Sequence, residues 1–502
     1  MDTKAILKEL TVDEKIRLLG GMGDWFIYDC NGKVPKVMMT DGPHGLRKIE
    51  VTKAGDVEAS NPATCFPTAS AMASSWDPEM TYLEGETLAD EALMEKISIV
   101  LGCGMNIKRS PFCGRNFEYY SEDPLLAGKM AGGFISGTQS KGIGTCLKHF
   151  AVNSQETRRM TSDSIVDERA LREIYLAGFE DCIKTAKPYT VMTSYNRVNG
   201  TYAAANKHLL TDILRDEWGF EGAVVSDWGA SIDIVACIKA GLNLEMPDPK
   251  GYHTRVLKKA YMDGEISDEL LDEKALKILD SFATLSERVE ENHPVDFDAH
   301  NAVARKLSAS GAVLLKNDGA LPVSKEKKLI IIGDLAENVR FQGGGSSHIN
   351  PARQKNALKA FESAGYKYCF AKGYDRNTEN TDSKLVSQVK ELLEKELDDN
   401  SVVLFFLGLT DAFEGEGYDR KDLSIPGNQT ELLDEVAKIV NKDQLAAVTF
   451  GGAPFDFSFE DKVSSILHMY LGGQAVGEAV CDLVTGAVNP SGKLAETFPL
   501  KA

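Results

Sequence analysis

The chain has 502 residues, 43% of them hydrophobic, and a formal net charge of −19 at pH 7. This length exceeds what one hydrophobic core usually serves, so it predicts two or three domains. The acidic charge argues against nucleic acid and anionic membranes as partners, and no apolar run in the sequence approaches the length that spans a bilayer.

The amino terminus and the cysteines bear on the cellular compartment. Residues 1–10 are amphipathic and polar, without the uninterrupted apolar region of a secretory signal. The nine cysteines are scattered without CxxC spacing, which favours reduced thiols over a disulfide framework. We therefore expect a cytoplasmic protein, unless an export segment was removed. The sequence is compatible with a homo-oligomer but does not specify one.

The first half of the chain, residues 1–286, alternates between strand-like and helical segments. The predicted strands are 35–39, 97–101, 144–147, 190–193, 223–225 and 242–244, and the predicted helices are 79–96, 167–186 and 209–218. Repeated β–α units of this length indicate a parallel sheet, and roughly 280 residues suit a closed, TIM-like (β/α) barrel. An open doubly wound sheet fits the alternation as well.

A second alternating region follows a polar stretch, residues 287–300, which we interpret as a linker. Its predicted strands are 329–332, 401–406, 445–449 and 465–467, and its predicted helices include 385–396 and 429–440. This pattern predicts a three-layer αβα sandwich domain over residues 301–502.

Charged and polar residues follow the predicted strands of the first half where each strand ends. They are Asp41 to Arg47, Lys148 with His149, Ser194 to Asn196, Asp227 with Trp228, and Glu245. In a barrel these strand tips ring one mouth, where α/β enzymes carry their chemistry. Helix capping explains a single acidic tip, but it does not explain Lys148 and His149, because cations disfavour helix N-termini. The sequence therefore predicts a functional site at this mouth.

The residue types near these tips indicate a polyhydroxylated ring as the ligand. Carboxylates and cations bind hydroxyl groups, and an aromatic plate such as Trp228 stacks on the C–H face of a ring. A phosphate would need a Gly-rich loop, and the glycine-rich stretch from Gly343 to Ser347 lacks the lysine of a P-loop. The eight histidines show no metal-binding spacing, so no metal site is expected.

A glycine-flanked glutamate in the second half is the candidate acid. The segment Glu414-Gly-Glu416-Gly-Tyr-Asp419-Arg420 follows the predicted strand 401–406. Glycines on both sides of Glu416 predict a mobile loop that is able to reach the cleft of another domain. The alternative is a solvated acidic loop in which Asp419 and Arg420 pair locally.

Taken together, these motifs closely resemble those of glycoside hydrolase family 3. The matching strings are DGPHGLR (41–47), GRNFEYYSEDP (114–124), KHF (148–150), MTSYNRVNG (192–200), SDWGA (226–230), GEGYDR (415–420) and NPSGKLAETFP (489–499). They occur in the family's order and span nearly the whole chain. The resemblance implies a (β/α) barrel, an αβα sandwich and an active site between them, belonging to a retaining, exo-acting β-glycosidase that needs no cofactor or metal.

The same resemblance implies a role for each site residue. Asp227 matches the nucleophile and Glu416 the acid/base, with Glu414 as the alternative. The residues implied to hold or border the sugar are Asp41, Arg47, Arg115, Lys148, His149, Arg159, Tyr195 and Trp228, with Ser346 or Ser347 on a sandwich loop. The implied double displacement requires an ionised Asp227 and a Glu416 carboxyl whose pKa is raised.

The sequence predicts the preferred sugar less specifically than it predicts the class of reaction. A β-glucosidase is expected, with a β-xylosidase or an enzyme of mixed specificity as the alternative, since glucose and xylose differ by one CH₂OH group. Residues 151–159 lack the His–Asp loop of the aminosugar subgroup, which argues against that subgroup. Many relatives continue into a fibronectin-type domain, so we expect either a short member of the family or a trimmed form.

Two hypotheses come from other classes of protein. A sugar-binding protein without turnover would use the same barrel mouth, but the presence of both candidate carboxylates argues against it. An aldolase-like barrel would use Lys148 as a Schiff-base amine, and it gives the sandwich domain no role.

Overall fold

The computed structural model describes residues 1–49, 60–285 and 293–501. These residues form two compact units, each assembled from separate stretches of the chain. We call Met1–Lys48, Thr81–Ile107 and Asp123–Val295 the barrel unit, and Ile49–Met80, Lys108–Glu122 and Asp296–Ala502 the sandwich unit. The sandwich unit thus includes two stretches from the range predicted as barrel. The predicted limits at 286 and 301 remain predictions, and residues 287–292 of the predicted linker lie outside the described residues.

Helices and short strands alternate along most of the chain. The α-helices are α1 (Thr3–Glu9), α2 (Val12–Leu18), α3 (Ala69–Ala73), α4 (Pro78–Met94), α5 (Pro124–Ser140), α6 (Glu168–Ala170), α7 (Ala177–Thr185), α8 (Ile234–Ala240), α9 (Tyr252–Met262), α10 (Asp268–Ile278), α11 (Phe297–Gly311), α12 (Ala357–Ser363), α13 (Ser383–Glu396), α14 (Gly427–Ala437) and α15 (Val476–Val484). The strands are β1 (Gly21–Met22), β2 (Phe26–Ile27), β3 (Met39–Asp41), β4 (Ile99–Leu101), β5 (Gly144–Phe150), β6 (Asp163–Ser164), β7 (Thr190–Thr193), β8 (Arg197–Val198), β9 (Thr201–Tyr202), β10 (Ala223–Val225), β11 (Val313–Asn317), β12 (Lys328–Ile332), β13 (Tyr368–Ala371), β14 (Ser401–Gly408), β15 (Leu445–Phe450) and β16 (Ser465–His468). Wider, π-type helical turns occupy Leu171–Leu176, His208–Glu217 and Leu279–Ala283.

Parallel strands form the wall of the barrel unit in the order β3, β4, β5, β7, β10. The pairing continues from β10 to Leu244, and from Glu245 to Gly20 beside β1. The antiparallel β1–β2 hairpin then connects the backbone pairing to β3, because Phe26 bridges to Met38, the residue before β3. The circuit of backbone pairing is closed, which confirms the predicted barrel and excludes the open sheet.

The barrel elements differ from the sequence prediction in detail. Residues 242–244, predicted as a strand, form only an isolated bridge at Leu244. The β1–β2 hairpin escaped prediction because two-residue strands carry no readable alternation. The predicted helix 167–186 is present as α6, a π-type stretch and α7, and it begins at the cap Asp167, whose side chain accepts the Ala170 N–H. Strand β5 extends to Phe150, beyond the predicted end, and so carries the Lys148–His149 pair.

The sandwich unit is built on a six-stranded sheet in the order β11, β16, β15, β14, β12, β13. Only β11 runs antiparallel to its neighbour in this sheet. Strands β14 and β15 are buried along their whole length, as expected when helices cover both faces of a parallel sheet. Helix α15 packs with α11 and α12, whereas α13 packs with α14 and β13. The predicted αβα sandwich is therefore confirmed.

Within the described ranges, every helix is too short or too polar to cross a bilayer.

Candidate functional site

Asp227 lies where β10 ends, in the barrel unit. The strand end is secured by Ser226, whose Oγ accepts the Met246 N–H at 2.9 Å. Asp227 Oδ1 accepts the Trp228 N–H at 2.8 Å, and the side chain is buried. The other carboxylate oxygen, Oδ2, lies 3.7 Å from His149 Nε2. The carboxylate singled out by the sequence is therefore oriented by its own strand end and lies beside a histidine.

Asp41, Arg47 and Lys148 form a buried charge cluster at the ends of β3 and β5. Arg47 Nη1 lies 3.6 Å from Asp41 Oδ2, and Lys148 Nζ lies 3.8 Å from Asp41 Oδ1. The Arg47 N–H donates to Asp41 O at 2.9 Å, which folds the intervening loop back on itself. One carboxylate between two cations presents both acceptors and donors, the set that a polyhydroxylated ring requires.

The backbone of the Lys148–His149 pair is held by the segment that follows the neighbouring strand β4. The His149 N–H donates to Asn106 Oδ1 at 3.0 Å, and Asn106 Nδ2 donates to His149 O at 2.9 Å. The Lys148 N–H donates to Cys103 O at 3.1 Å, and the Met105 N–H donates to Lys148 O at 2.8 Å. Both side chains therefore project from a paired strand rather than from an unpaired loop.

An aromatic and cationic group lies on the loops of the barrel unit. The Arg159 guanidinium sits 4.6 Å from the centre of the Tyr195 ring, and its Nη1 is 2.7 Å from Glu156 Oε2. The Tyr195 hydroxyl donates to Trp228 O at 3.2 Å. The rings of Trp25 and Trp228 are 5.5 Å apart and tilted by 40°. This group offers a stacking plate and a cation, both of which suit a sugar ring.

Sequence reasoning missed some of these residues and misjudged another. Trp25, Asn106 and Glu156 were not predicted, and the only signal for Trp25 was that it is a large aromatic residue like Trp228. Glu245, predicted among the strand-tip groups, pairs instead with His253 of α9, with 2.5 Å between Oε1 and Nδ1. Burial raises the pKa of Glu245, and its backbone helps to close the barrel. Glu245 is therefore a structural partner of α9.

In the sandwich unit, residues 108–122 dock on the loop that carries Glu416. The Gly114 N–H donates to Asp419 Oδ1 at 3.0 Å, and the Arg420 N–H donates to Phe112 O at 2.9 Å. A β-carbon on Gly114 would lie 1.8 Å from Tyr418 O, so only glycine permits this approach. The loop is anchored where the sequence predicted mobility, and both Asp419 and Arg420 bind the docked stretch.

Glu416 is the more accessible of the two loop glutamates. Its Oε2 accepts the Ser346 N–H at 2.7 Å, and its Oε1 lies 3.6 Å from Arg115 Nη1. Its side chain is 14% exposed, against 1% for Glu414. Three residues predicted to share a site, Arg115, Ser346 and Glu416, thus lie together within the sandwich unit. Ser347, the alternative to Ser346, is buried.

Glu414 is buried and bonded from two sides. The Gly452 N–H donates to both of its carboxylate oxygens, at 3.1 and 2.9 Å, and Arg340 Nη2 lies 3.6 Å from Oε1. Arg340 also lies 2.9 Å from Asp411 Oδ1 at the start of the loop. Burial raises the pKa of the Glu414 carboxyl. These contacts make Glu414 an anchor for the loop.

No group of three or more His, Cys, Asp or Glu side chains among the described residues could hold a metal ion.

Two family models match the chain. The model described as "Glycosyl hydrolase family 3 N terminal domain" matches residues 35–281, and "Glycosyl hydrolase family 3 C-terminal domain" matches residues 312–502. The two matched ranges together contain the site residues described above except Trp25.

Individual relatives are similar along almost the whole chain. "Thermostable beta-glucosidase B" of Acetivibrio thermocellus is 45% identical, over 100% of this chain and 66% of its own length. "Exo-alpha-(1->6)-L-arabinopyranosidase" of Bifidobacterium longum is 44% identical, over 98% of this chain and 66% of its own length. The crystal structure of a GH3 beta-glucosidase from Bifidobacterium adolescentis superposes with a TM-score of 0.92 at 44% identity, covering 99% of this chain and 71% of that one. The chain thus spans just under two thirds of the length of these curated relatives.

Proposed function

Because the chain belongs to glycoside hydrolase family 3, we propose that it is an exo-acting, retaining β-glucosidase that hydrolyses terminal non-reducing β-D-glucosyl residues. One observation carries the proposal. The buried Asp227 carboxylate ends β10 beside His149, in the same unit as the cluster of Asp41, Arg47 and Lys148. A nucleophile near groups that bind hydroxyls is what sugar transfer needs.

The proposed reaction is a double displacement. Asp227 attacks the anomeric carbon while the bond to the leaving oxygen breaks, and Glu416 gives that oxygen its proton. Water then attacks the glycosyl ester as Glu416 removes its proton, which releases the sugar with its β configuration and restores both carboxyl groups. The accessibility of Glu416 and the anchoring contacts of Glu414 support this assignment over the reverse.

The sugar-holding roles follow the residue types. We assign Asp41, Lys148 and His149 to hydroxyl groups of the terminal ring, with Arg47 neutralising Asp41. Arg159, Tyr195 and Trp228 border the ring, and Arg115 and Ser346 adjoin Glu416. Ser347 keeps only the assignment from the family resemblance. A cytoplasmic location and the absence of nucleic acid and membrane partners remain predictions from the sequence.

An α-L-arabinopyranosidase is the second candidate activity, because a relative with that name is 44% identical. A panel of 4-nitrophenyl glycosides separates the candidates. We expect kcat/KM for the β-D-glucoside to exceed that for the β-D-xyloside by roughly 10–200-fold, the range that one small group commands. A higher kcat/KM for the α-L-arabinopyranoside or the β-D-xyloside would identify that glycoside as the preferred substrate instead. Binding of glucose without cleavage of any glycoside would indicate a sugar-binding protein, and borohydride trapping at Lys148 would indicate the aldolase.

Exo action predicts the order of products from a polymer. Asp41, Arg47 and Lys148 are all buried, which favours a closed pocket for a terminal ring over an open cleft for a continuing chain. We therefore expect glucose to be the first product from a long β-glucan, followed by chromatography at early times. Early release of mixed oligosaccharides would contradict a pocket that accepts only chain ends.

Gly345 tests how tightly Glu416 is held. Gly345 has φ +106°, and a β-carbon there would lie 2.3 Å from Glu416 Cβ. We expect Gly345→Ala to displace the carboxyl and to lower cellobiose hydrolysis by roughly 10²-fold, the cost of a misplacement near 1 Å. Gly344→Ala is the matched control, because its nearest neighbour, Gly415 Cα, is 4.0 Å away. Equal kcat values for the two variants would show that Glu416 is not held at this point.

A further inference from the structure

Arg115 is buried between two carboxylates in the sandwich unit. Its Nε and Nη2 donate to Glu118 Oε2 and Oε1 at 3.1 and 2.7 Å, which is a bidentate pair with both side chains almost fully buried. The remaining nitrogen, Nη1, faces Glu416 Oε1 at 3.6 Å. One side of the guanidinium is thus committed to Glu118, and the other is presented to Glu416.

The stretch that carries this pair has little freedom to move. Phe117 lies against two glycines, since a β-carbon on Gly452 would be 2.1 Å from Phe117 Cβ and one on Gly343 would be 2.4 Å from its ring. Gly114 is bonded to Asp419, three residues beyond Glu416. The distance between Arg115 and Glu416 is therefore set by packing on both sides.

We propose that Glu118 is a positioning residue for Glu416: it fixes the guanidinium of Arg115 so that Nη1 faces the Glu416 carboxyl, and it offsets part of that guanidinium's charge. The inference rests on the proposed function, because Glu416 is taken as the acid/base. A general acid must hold its proton until the leaving oxygen takes it, so an unopposed cation at this distance would work against it. Glu118 supplies the opposing charge.

Two other carboxyl groups on the loop of Glu416 have partners of their own. Glu414, on the same loop, bonds to Gly452 and lies against Arg340. Asp419 accepts the Gly114 N–H. The loop of Ser346 contributes a backbone N–H, which carries no net charge.

The test is the pH profile of Glu118→Gln. Glutamine keeps the size of the side chain but removes the charge, so the ionised form of Glu416 gains stability. We expect the alkaline limb of kcat/KM for cellobiose to move down by roughly one pH unit, with less change for an activated aryl glucoside. Glu122→Gln is the matched control, because Glu122 lies in the same stretch but is exposed and bonded to Thr497. A purely structural role for Glu118 would lower kcat without moving the limb, and that result would overturn the proposal.

A second variant and a second measurement cover the remaining outcomes. Glu118→Asp keeps the negative charge near Arg115 but shortens the side chain, which weakens the bidentate pair. We expect a smaller shift in the same direction, and an unmoved limb in every folded Glu118 variant counts against the proposal. An NMR titration of protein labelled with ¹³C-glutamate gives the midpoint of the Glu416 titration without any turnover. The Glu416 resonance is assigned by its loss in Glu416→Gln. A shifted midpoint in a protein that cleaves no glycoside would reject the proposed function and retain the coupling, whereas an unshifted midpoint rejects the coupling alone.

Discussion

Asp227→Asn is expected to lower kcat for β-glucosides by on the order of 10⁴-fold or more, which corresponds to about 5.5 kcal/mol of lost transition-state stabilisation. Asparagine has the same shape as aspartate, but its amide is a poor nucleophile toward the anomeric carbon. Binding of glucose should survive, because the cluster of Asp41, Arg47 and Lys148 is untouched. Kinetics with an aryl glucoside and calorimetric titration with glucose measure the two quantities separately.

The control for this variant lies in the same loop. Asp233→Asn removes a carboxylate that caps α8 by accepting the Ala236 N–H, and asparagine caps a helix about as well. Activity should therefore stay near that of the wild type. A stereochemical check adds Asp227→Gly with azide, where the anion enters the vacated space and should give the α-glycosyl azide from an activated β-glucoside. If Asp227→Asn kept more than a tenth of wild-type turnover, Asp227 would not be the nucleophile.

Glu416→Ala is expected to separate substrates by their leaving groups. General acid assistance is typically worth 10²–10⁴-fold, so we expect a loss of that order for cellobiose. A nitrophenolate leaves with little protonation, so formation of the glycosyl-enzyme from an aryl glucoside should be spared. Azide needs no base to attack the intermediate, and it should restore turnover with release of the β-glycosyl azide. The two variants at Asp227 and Glu416 thus yield azides of opposite configuration.

Glu414→Ala is the matched control on the same loop. The structure predicts a loss of stability, because the variant strips Arg340 of one buried partner and leaves the Gly452 N–H unpaired. Breaking a buried pair costs about 3 kcal/mol, which thermal melting detects. Azide should have no effect on turnover and the two substrates should be affected alike. If azide rescued Glu414→Ala and left Glu416→Ala unchanged, the roles of the two glutamates would be exchanged.

The elements of both units were largely predictable from local pattern. Strands β7 and β10 lie at their predicted residues, and Asp167 begins a helix as a capping residue, as predicted. The closing β1–β2 hairpin was not predictable, since its strands are two residues long and are paired with distant residues, through Gly20 to Glu245 and through Phe26 to Met38. Residues 108–122 fall in the range predicted as barrel, but they group with the sandwich unit through contacts such as those of Gly114 with Asp419 and of Phe112 with Arg420, which local sequence does not reveal.

Among the candidate site residues, an equivalent position at a strand end did not predict an equivalent environment. Glu245 follows Leu244 as Asp227 follows Ser226, and the sequence treated both as strand-tip groups. The carboxylate of Glu245 pairs with His253 on α9, whereas that of Asp227 lies near His149. The difference depends on which residues of distant elements reach each carboxylate, and no local pattern contains that information.

The sequence by itself determined which chemical groups are present and at which strand ends they stand, because β–α alternation is a local property and the residue after a buried strand must emerge at the sheet edge. The tertiary structure alone decided what each group faces. Glu414 and Glu416 are two residues apart on one glycine-rich loop, yet the first is buried against Gly452 and Arg340 and the second is presented to Arg115. Burial and charge pairing arise from contacts between residues far apart in the chain, and these contacts set the environment of each carboxyl.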